Sequence, residues 1–243
     1  MKKVIIILFS IICFSVISYS QSRIQLDNER ILFKTNKVNI ETVICSDGSK
    51  SVTKYDKNGN RVEIKGYYNN VESNITIYKY DEHVNMIEES YYGYESGDGI
   101  TTTFYYDESG NIFKTKTEGS DNNEAYFKYD DNGNLIKSEV VYFGEAPVVT
   151  EYKNIYESGS LVSKEDLCNN SRESIIKTNY TYIGGRVSTE EEYEKNCKTE
   201  STKFYSKKTI EYFDNGLIKE TKFESSYTEG IQKTTYKYDF YNN

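Results

Sequence analysis

The sequence predicts an all-β protein built as a tandem array of β-hairpins, a long antiparallel meander that is curved or rolled. Three observations predict it. A Tyr-Asp turn signature recurs at a near-constant interval. Aromatic residues stand two apart in the segments between those turns, which places them on one face of a strand. The composition also suits pleated, half-buried surfaces: 25 Tyr and 11 Phe, with no Trp and a single Pro in 243 residues.

The chain opens with Lys2-Lys3, an apolar run from Val4 to Ile17, and then Ser18-Tyr19-Ser20. A basic start, an apolar stretch and small residues before a cut make a secretory signal peptide, assigned to residues 1–20. The alternative is a retained anchor, for which the run is short of the roughly 20 residues a membrane span needs. Lipidation at Cys13 would need a small residue before it, and Ile12 stands there. The protein is thus expected to be exported: periplasmic, on the cell surface or secreted. No stable membrane span is expected after cleavage.

Cleavage removes two lysines from 30 basic residues and leaves 28 against 38 acidic, a balance of −10. Such a chain repels phosphate backbones and anionic lipid, so neither nucleic acid nor a membrane surface is an expected partner.

Residues 21–243 read as one repeat domain, with 21–54 as an N-terminal cap. In that cap Ile31-Leu32-Phe33 and Val38-Asn39-Ile40 are expected to pair as strands, and Asp47-Gly48 to turn. No helix is expected after residue 20.

The signature is clearest at Tyr55-Asp56-Lys57-Asn58-Gly59-Asn60, Tyr106-Asp107-Glu108-Ser109-Gly110-Asn111, Tyr129-Asp130-Asp131-Asn132-Gly133-Asn134 and Tyr212-Phe213-Asp214-Asn215-Gly216-Leu217. Weaker copies centre on Gly159 and Gly185. In Tyr80-Asp81-Glu82-His83-Val84-Asn85 a valine stands at the glycine position, and a last copy begins at Tyr238. Aligned on that position the copies fall at 59, 84, 110, 133, 159, 185, 216 and 242, giving about eight units. The interval of 31 before residue 216 predicts a longer loop there.

The signature has a mechanical reading. Asp at the first position and Gly at the fourth fit a type I turn closed by a G1 bulge. Asp56, Asp107 and Asp130 can cap their own turns. Gly59, Gly110, Gly133 and Gly216 supply the left-handed residue.

The Tyr-Asp-x-x-Gly-Asn turns, each followed by an apolar pair such as Leu135-Ile136, resemble the YD repeats of RHS-type bacterial proteins. The likeness is carried by residues 55–60, 106–111, 129–134 and 212–217, and in weaker form by most of 45–243. It implies a hairpin array and an exported, interaction-type role. Residues 215–220 are also similar to short hairpin repeats of toxin–antitoxin neutralising proteins. The repeat here is longer, near 26 residues, and no toxin or core segment accompanies it.

Candidate chemistry is sparse. Cys168 and Cys197 occupy nearly equivalent loops of adjacent repeats, and a bridge between them is expected in an exported protein. Cys45 is then the odd thiol, with no nearby histidine to activate it. His83 is the only histidine and falls on a turn, so neither a zinc site nor a Ser-His-Asp arrangement is expected. Asp130-x-Asn132-Gly133-Asn134 has its glycine too early for an EF-hand and lacks the closing glutamate. No enzyme activity and no cofactor is expected.

What remains is the aromatic face, with Tyr78, Tyr80, Tyr106, Tyr129, Tyr236 and Tyr238 as candidate ligand contacts and core burial as their other reading. The expected role is a binding or scaffold module for a protein partner. The alternative is a glycan-binding module using the tyrosine face, and an inhibitor or immunity-type protein is a third class.

Overall fold

The computed structural model describes residues 23–94, 97–120, 122–131, 133–167, 173–227 and 230–241, with the backbone alone for 23–26. The segment assigned as signal peptide and Cys168 lie outside the described residues.

A helix, α1 (Arg23–Thr35), precedes sixteen strands. These begin β1 (Val38–Cys45), β2 (Lys50–Tyr55), β3 (Arg61–Tyr68), β4 (Val71–Tyr80), β5 (Met86–Gly93) and β6 (Gly99–Tyr106). They continue β7 (Ile112–Gly119), β8 (Asn123–Tyr129), β9 (Leu135–Tyr142), β10 (Val148–Glu157) and β11 (Ser160–Asp166). The last are β12 (Ser174–Ile183), β13 (Arg186–Asn196), β14 (Thr202–Tyr212), β15 (Ile218–Ser225) and β16 (Gln232–Phe240). Each strand pairs antiparallel with its chain neighbours, and β1 pairs with β16, so the sheet is a closed barrel. The meander is therefore not an open or merely rolled sheet. Closure leaves no edge strand to template aggregation.

Two further expectations are corrected. Ile31-Leu32-Phe33 lies in α1 and does not pair with Val38-Asn39-Ile40, which opens β1. Three adjacent apolar residues fit a helical or an extended period alike, so the pattern could not decide. The helix ends where Lys37 turns left-handed (φ 53°) and Asn36 N–H donates to Leu32 O at 3.1 Å. The 31-residue interval also does not mark a longer loop. Its extra length is in β13 and β14, eleven residues each, joined through residues 197–201.

The signature turns all lie at one end of the barrel, called here the tight-turn end, as the up-and-down topology requires. In the first, Asp56 N–H donates to Asn60 O at 2.9 Å and Gly59 N–H to Asp56 O at 3.0 Å. The same pair of bonds recurs at Asp81, Asp107, Asp130 and Phe213. The strand register shifts beside each tyrosine that precedes a tight turn, as at Lys54/Tyr55, Tyr105/Tyr106 and Glu211/Tyr212. Gly59, Gly110 and Gly133 sit at φ 81°, 78° and 76°. Val84 holds the same place at φ 67°, a conformation costly for a β-branched residue.

The two faces of the sheet differ. Thr53, Thr102, Phe104, Thr115, Ala125, Ser206, Ile210 and Thr221 are buried, and strand pairing places them on the face that carries the tyrosines. That face is the interior. The outward face carries cross-strand ion pairs: Lys54–Glu63 and Lys79–Glu88 at 2.7 Å, Lys207–Glu191 at 2.8 Å and Lys114–Glu124 at 2.9 Å. Each such exposed pair contributes at most about 1 kcal/mol, and the pairs share the outward face with exposed Ile77, Tyr105, Phe113 and Tyr126.

Candidate functional site

At the tight-turn end one tyrosine from each hairpin points inward, and most of their hydroxyls are committed to the fold. Tyr80 donates to Arg61 O, Tyr106 to Met86 O, Tyr182 to Leu161 O and Tyr212 to Val187 O, each at 2.8 Å, and Tyr238 to Ile218 O at 2.9 Å. In every case the acceptor lies at the start of the outgoing strand of the preceding hairpin. The ring thus stitches hairpin to hairpin. Tyr55 has no preceding hairpin and donates to Glu41 Oε2 at 2.9 Å. Tyr156 departs from the rule and bonds Asp130, and the buried Tyr129 hydroxyl has no partner among the described residues. Burial pushes the phenol pKa of Tyr80, Tyr129 and Tyr238 well up, so these hydroxyls stay protonated donors.

The turn aspartates are equally occupied. Asp56 Oδ1 accepts from Asn58 N at 2.8 Å and Asn60 N at 2.9 Å, and its Oδ2 accepts from Asn60 Nδ2 at 2.8 Å. Asp107 and Asp130 accept from Asn111 N and Asn134 N at 2.8 Å. His83 is exposed on its turn, where its N–H donates to Asp81 Oδ1 at 2.9 Å. Among the described residues no group of three or more His, Cys, Asp or Glu could hold a metal ion.

Helix α1 packs onto this end. Phe33 stacks on Tyr55 with ring centroids 4.2 Å apart and lies 6.2 Å from Tyr238; Phe33, Val38, Tyr55 and Leu217 form a buried cluster. Glu29 pairs with Arg61, and Asn36 Nδ2 donates to Asn215 O at 3.4 Å. A Cβ built on Gly59 would lie 2.2 Å from Arg30 O, so this glycine serves both the turn and the seat of the helix. Beneath it burial pushes the Glu41 carboxyl up, against the lowering effect of its bond from Tyr55. Sequence reasoning missed this junction, because the helix that makes it was not recognised.

The sequence-based ligand candidates divide accordingly. Tyr80, Tyr106 and Tyr238 belong to the ring, and Tyr129 occupies a ring position. Tyr78 and Tyr236 lie two residues earlier on the same inner face. All six face inward.

The opposite, loose-turn end carries exposed aromatic and aliphatic side chains on its loops. Phe143 is 95% exposed at the tip between β9 and β10. Tyr68 and Val71, Tyr94, Val148, Tyr227 and Ile231 are also exposed at this rim. Cys197, at the same end, is disulfide-bonded, while Cys45 is a free thiol 3.9 Å from Thr234 Oγ1.

The fold has relatives among solved structures. A porin-like protein from Bacteroides uniformis superposes with a TM-score of 0.50 at 8% identity, over 84% of this chain and 97% of that one. It shares the barrel architecture. Weaker matches are to TcdB2-TccC3-TEV (TM-score 0.35, 12% identity, 76% of this chain and 11% of that one) and to the Photorhabdus luminescens Tc holotoxin pore (TM-score 0.25, 11% identity, 80% and 15%). No protein-family model matches the sequence, and no curated protein does.

Proposed function

We propose that this chain is an exported, non-enzymatic β-barrel that binds a protein partner through its loose-turn end. The observation that carries the reading is the asymmetry of the two ends. At the tight-turn end most hydroxyls and turn carboxylates are spent inside the fold, and a helix is packed against it. At the loose-turn end Phe143, Tyr68, Tyr94 and Tyr227 stand in solvent. Exposed aromatics gathered at one site are the usual anchors of an interface. Export is supported by the signal-like opening of the chain and by the disulfide at Cys197, which suits an oxidising compartment. The YD-like turns remain a resemblance that fits an interaction role.

The porin likeness concerns architecture. A membrane-spanning barrel turns an unbroken apolar band outward, whereas here Lys–Glu pairs interrupt the outward-facing Ile77, Tyr105, Phe113 and Tyr126. This favours a barrel that works in water.

Glycan recognition is the second reading, favoured by the same exposed tyrosines. It would use Tyr68, Tyr94 and Tyr227 rather than the inward tyrosine face.

The test uses a photo-crosslinking residue placed at Phe143 and, as a control, at Glu108 on a tight turn, in the native host. A discrete adduct from position 143 and none from position 108 supports the reading. Equal crosslinking from both, or flotation of the purified protein with liposomes, would sink it. Saturable binding on a glycan array, lost on replacing Tyr68 and Tyr94, would move the second reading to the front.

A further inference from the structure

The seam of the barrel is a hairpin without a turn. At the tight-turn end each of the other incoming strands is joined to its outgoing strand by a tight turn, as β2 is to β3 and β14 to β15. β16 and β1 stand side by side as such a pair would, with Tyr238-Asp239 on the incoming strand. Residues 232–240 and 38–45 lie far apart in the chain, however, and no turn joins them. The seam shares the register shift of the covalent hairpins, here between Val38 and Ile40. β16 depends on the seam at this end: its ladder with β15 runs from Gln232 to Thr235, and its ladder with β1 from Thr234 to Phe240.

Helix α1 takes the place of the absent connection, because it grips the hairpins on both sides of the seam. On the β2–β3 side Phe33 stacks on Tyr55, and Glu29 pairs with Arg61. On the β14–β15 side Asn36 Nδ2 donates to Asn215 O at 3.4 Å, and a Cβ built on Gly216 would lie 3.3 Å from Leu32 Cδ1. Phe33 also reaches the seam strands themselves, packing with Val38 of β1 and Tyr238 of β16. Beside the helix, Tyr241 N–H donates to Lys37 O at 2.9 Å and its hydroxyl donates to Tyr55 O, which fastens the end of β16 to the far side of β1.

We propose that α1 is a releasable clasp: docked, it holds the barrel shut at the β1–β16 seam, and undocked, it lets that seam open while the other strand pairs stay closed. Every other pair is consecutive in the chain and is joined covalently at one end, so it has a tether the seam lacks. The grip of α1 rests on Leu32, Phe33 and one partly exposed ion pair, while Ile31 on its outer side is 52% exposed. An element so held belongs to the low-stability part of a fold, where local opening begins. Opening would cut a slit in the wall, bordered by the free edges of β1 and β16. The inference goes beyond the partner-binding reading and does not depend on it, since it concerns the opposite end of the barrel.

The seam carries its own reporter. Cys45 is a free thiol on β1, 3.9 Å from Thr234 Oγ1 of β16, at the end of the seam remote from the helix. The test combines hydrogen exchange with the rate of Cys45 alkylation by iodoacetamide, both read by mass spectrometry on the full chain. Leu32→Ala and Phe33→Ala should each speed exchange in β1 and β16, and alkylation of Cys45, by at least about tenfold, with β6 to β9 unchanged. Gly159→Ala strains a tight turn away from the helix (φ 80°, open space around it) and should leave both readouts as in the wild type. If Phe33→Ala does not fold, Leu32→Ala decides alone. Equal acceleration in all strands would make α1 a general support, and wild-type rates at either the seam amides or Cys45 would leave it a passive cap. Each of these results overturns the proposal, as does a seam opened equally by Gly159→Ala.

Discussion

The two ends of the barrel solve the same problem, reversing a strand, in opposite ways. At the tight-turn end one solution recurs at Asp56, Asp81, Asp107 and Asp130, with Phe213 in place of the Asp at a fifth turn: a turn closed by the same two backbone bonds, a left-handed fourth residue and a register shift, beside tyrosines most of which bond the preceding hairpin. At the loose-turn end the connections differ in length and sequence, and Tyr94, Phe143 and Tyr227 on them face solvent. The difference teaches where constraint lies. A motif that satisfies its own polar groups can be repeated around a barrel, while loops that carry no shared structural duty are free to diverge and to bind.

The comparison can be broken most easily at Gly59. Gly59→Ala forces a Cβ against the helix backbone at a left-handed position, and the cost should be about 3 kcal/mol or more, since the φ penalty alone is about 1–2 kcal/mol. Gly144, a loose-end glycine at φ 82° with open space around it, provides the control: Gly144→Ala should cost only that φ penalty. Urea denaturation of both variants measures the difference, and equal losses would mean that the helix seat adds nothing.

Removing one stitch of the tyrosine ring comes next. Tyr80→Phe deletes the bond to Arg61 O and should destabilise by about 1 kcal/mol. A loss no greater than that of Tyr94→Phe, whose exposed hydroxyl meets Glu72 at the loose end, would deny the ring its special role.

Val84 tests the turn rule from the other side. Val84→Gly should raise stability by about 1 kcal/mol, because it relieves a β-branched residue at φ 67°. A neutral or destabilising result would show that the valine side chain compensates.

Glu41 predicts a slope rather than a level. Burial raises its carboxyl pKa above the ordinary 4.5, so the folded state holds this proton more tightly than the unfolded chain. Its contribution is present in full below pH 4.5 and is lost as pH rises through the raised value. Glu41→Gln should remove this decline, while the opposite trend from ion-paired carboxylates such as Glu88 and Glu191 persists. The readout is the difference between wild-type and variant stability from pH 4 to 7.

The smallest effect belongs to the loose end. Phe143→Ser should change stability by less than about 0.5 kcal/mol. A larger loss would mean that Phe143 is anchored within the fold, which would remove it from the candidate interface.

How far the sequence was legible follows the same division. The hairpin period, the turns and the alternation of aromatic and charged faces are local properties, written in residues a few positions apart. Tyr78 and Tyr80 could be placed on one face without any structure. Closure could not be read, because nothing in β1 or β16 alone specifies the partner. The helix was hidden because Ile31-Leu32-Phe33 fits two periods, and with it went Phe33 on Tyr55 and Glu29 on Arg61. The tyrosines were legible as residues but not in their duty, since their acceptors are backbone carbonyls some 20 positions back.

The pairing of β1 with β16 makes the order of assembly consequential. Every other strand meets its partner across a short connection, but Cys45 and Thr234 are 189 residues apart. The entropy of closing so long a loop is met only once, at the seam. Until β16 arrives, β1 presents a bare edge, and so does the newest strand of the growing meander. The seam therefore forms only after the fifteen preceding strands have been made. A nascent chain stalled a few dozen residues short would expose two open edges, ready to zip onto a neighbouring copy.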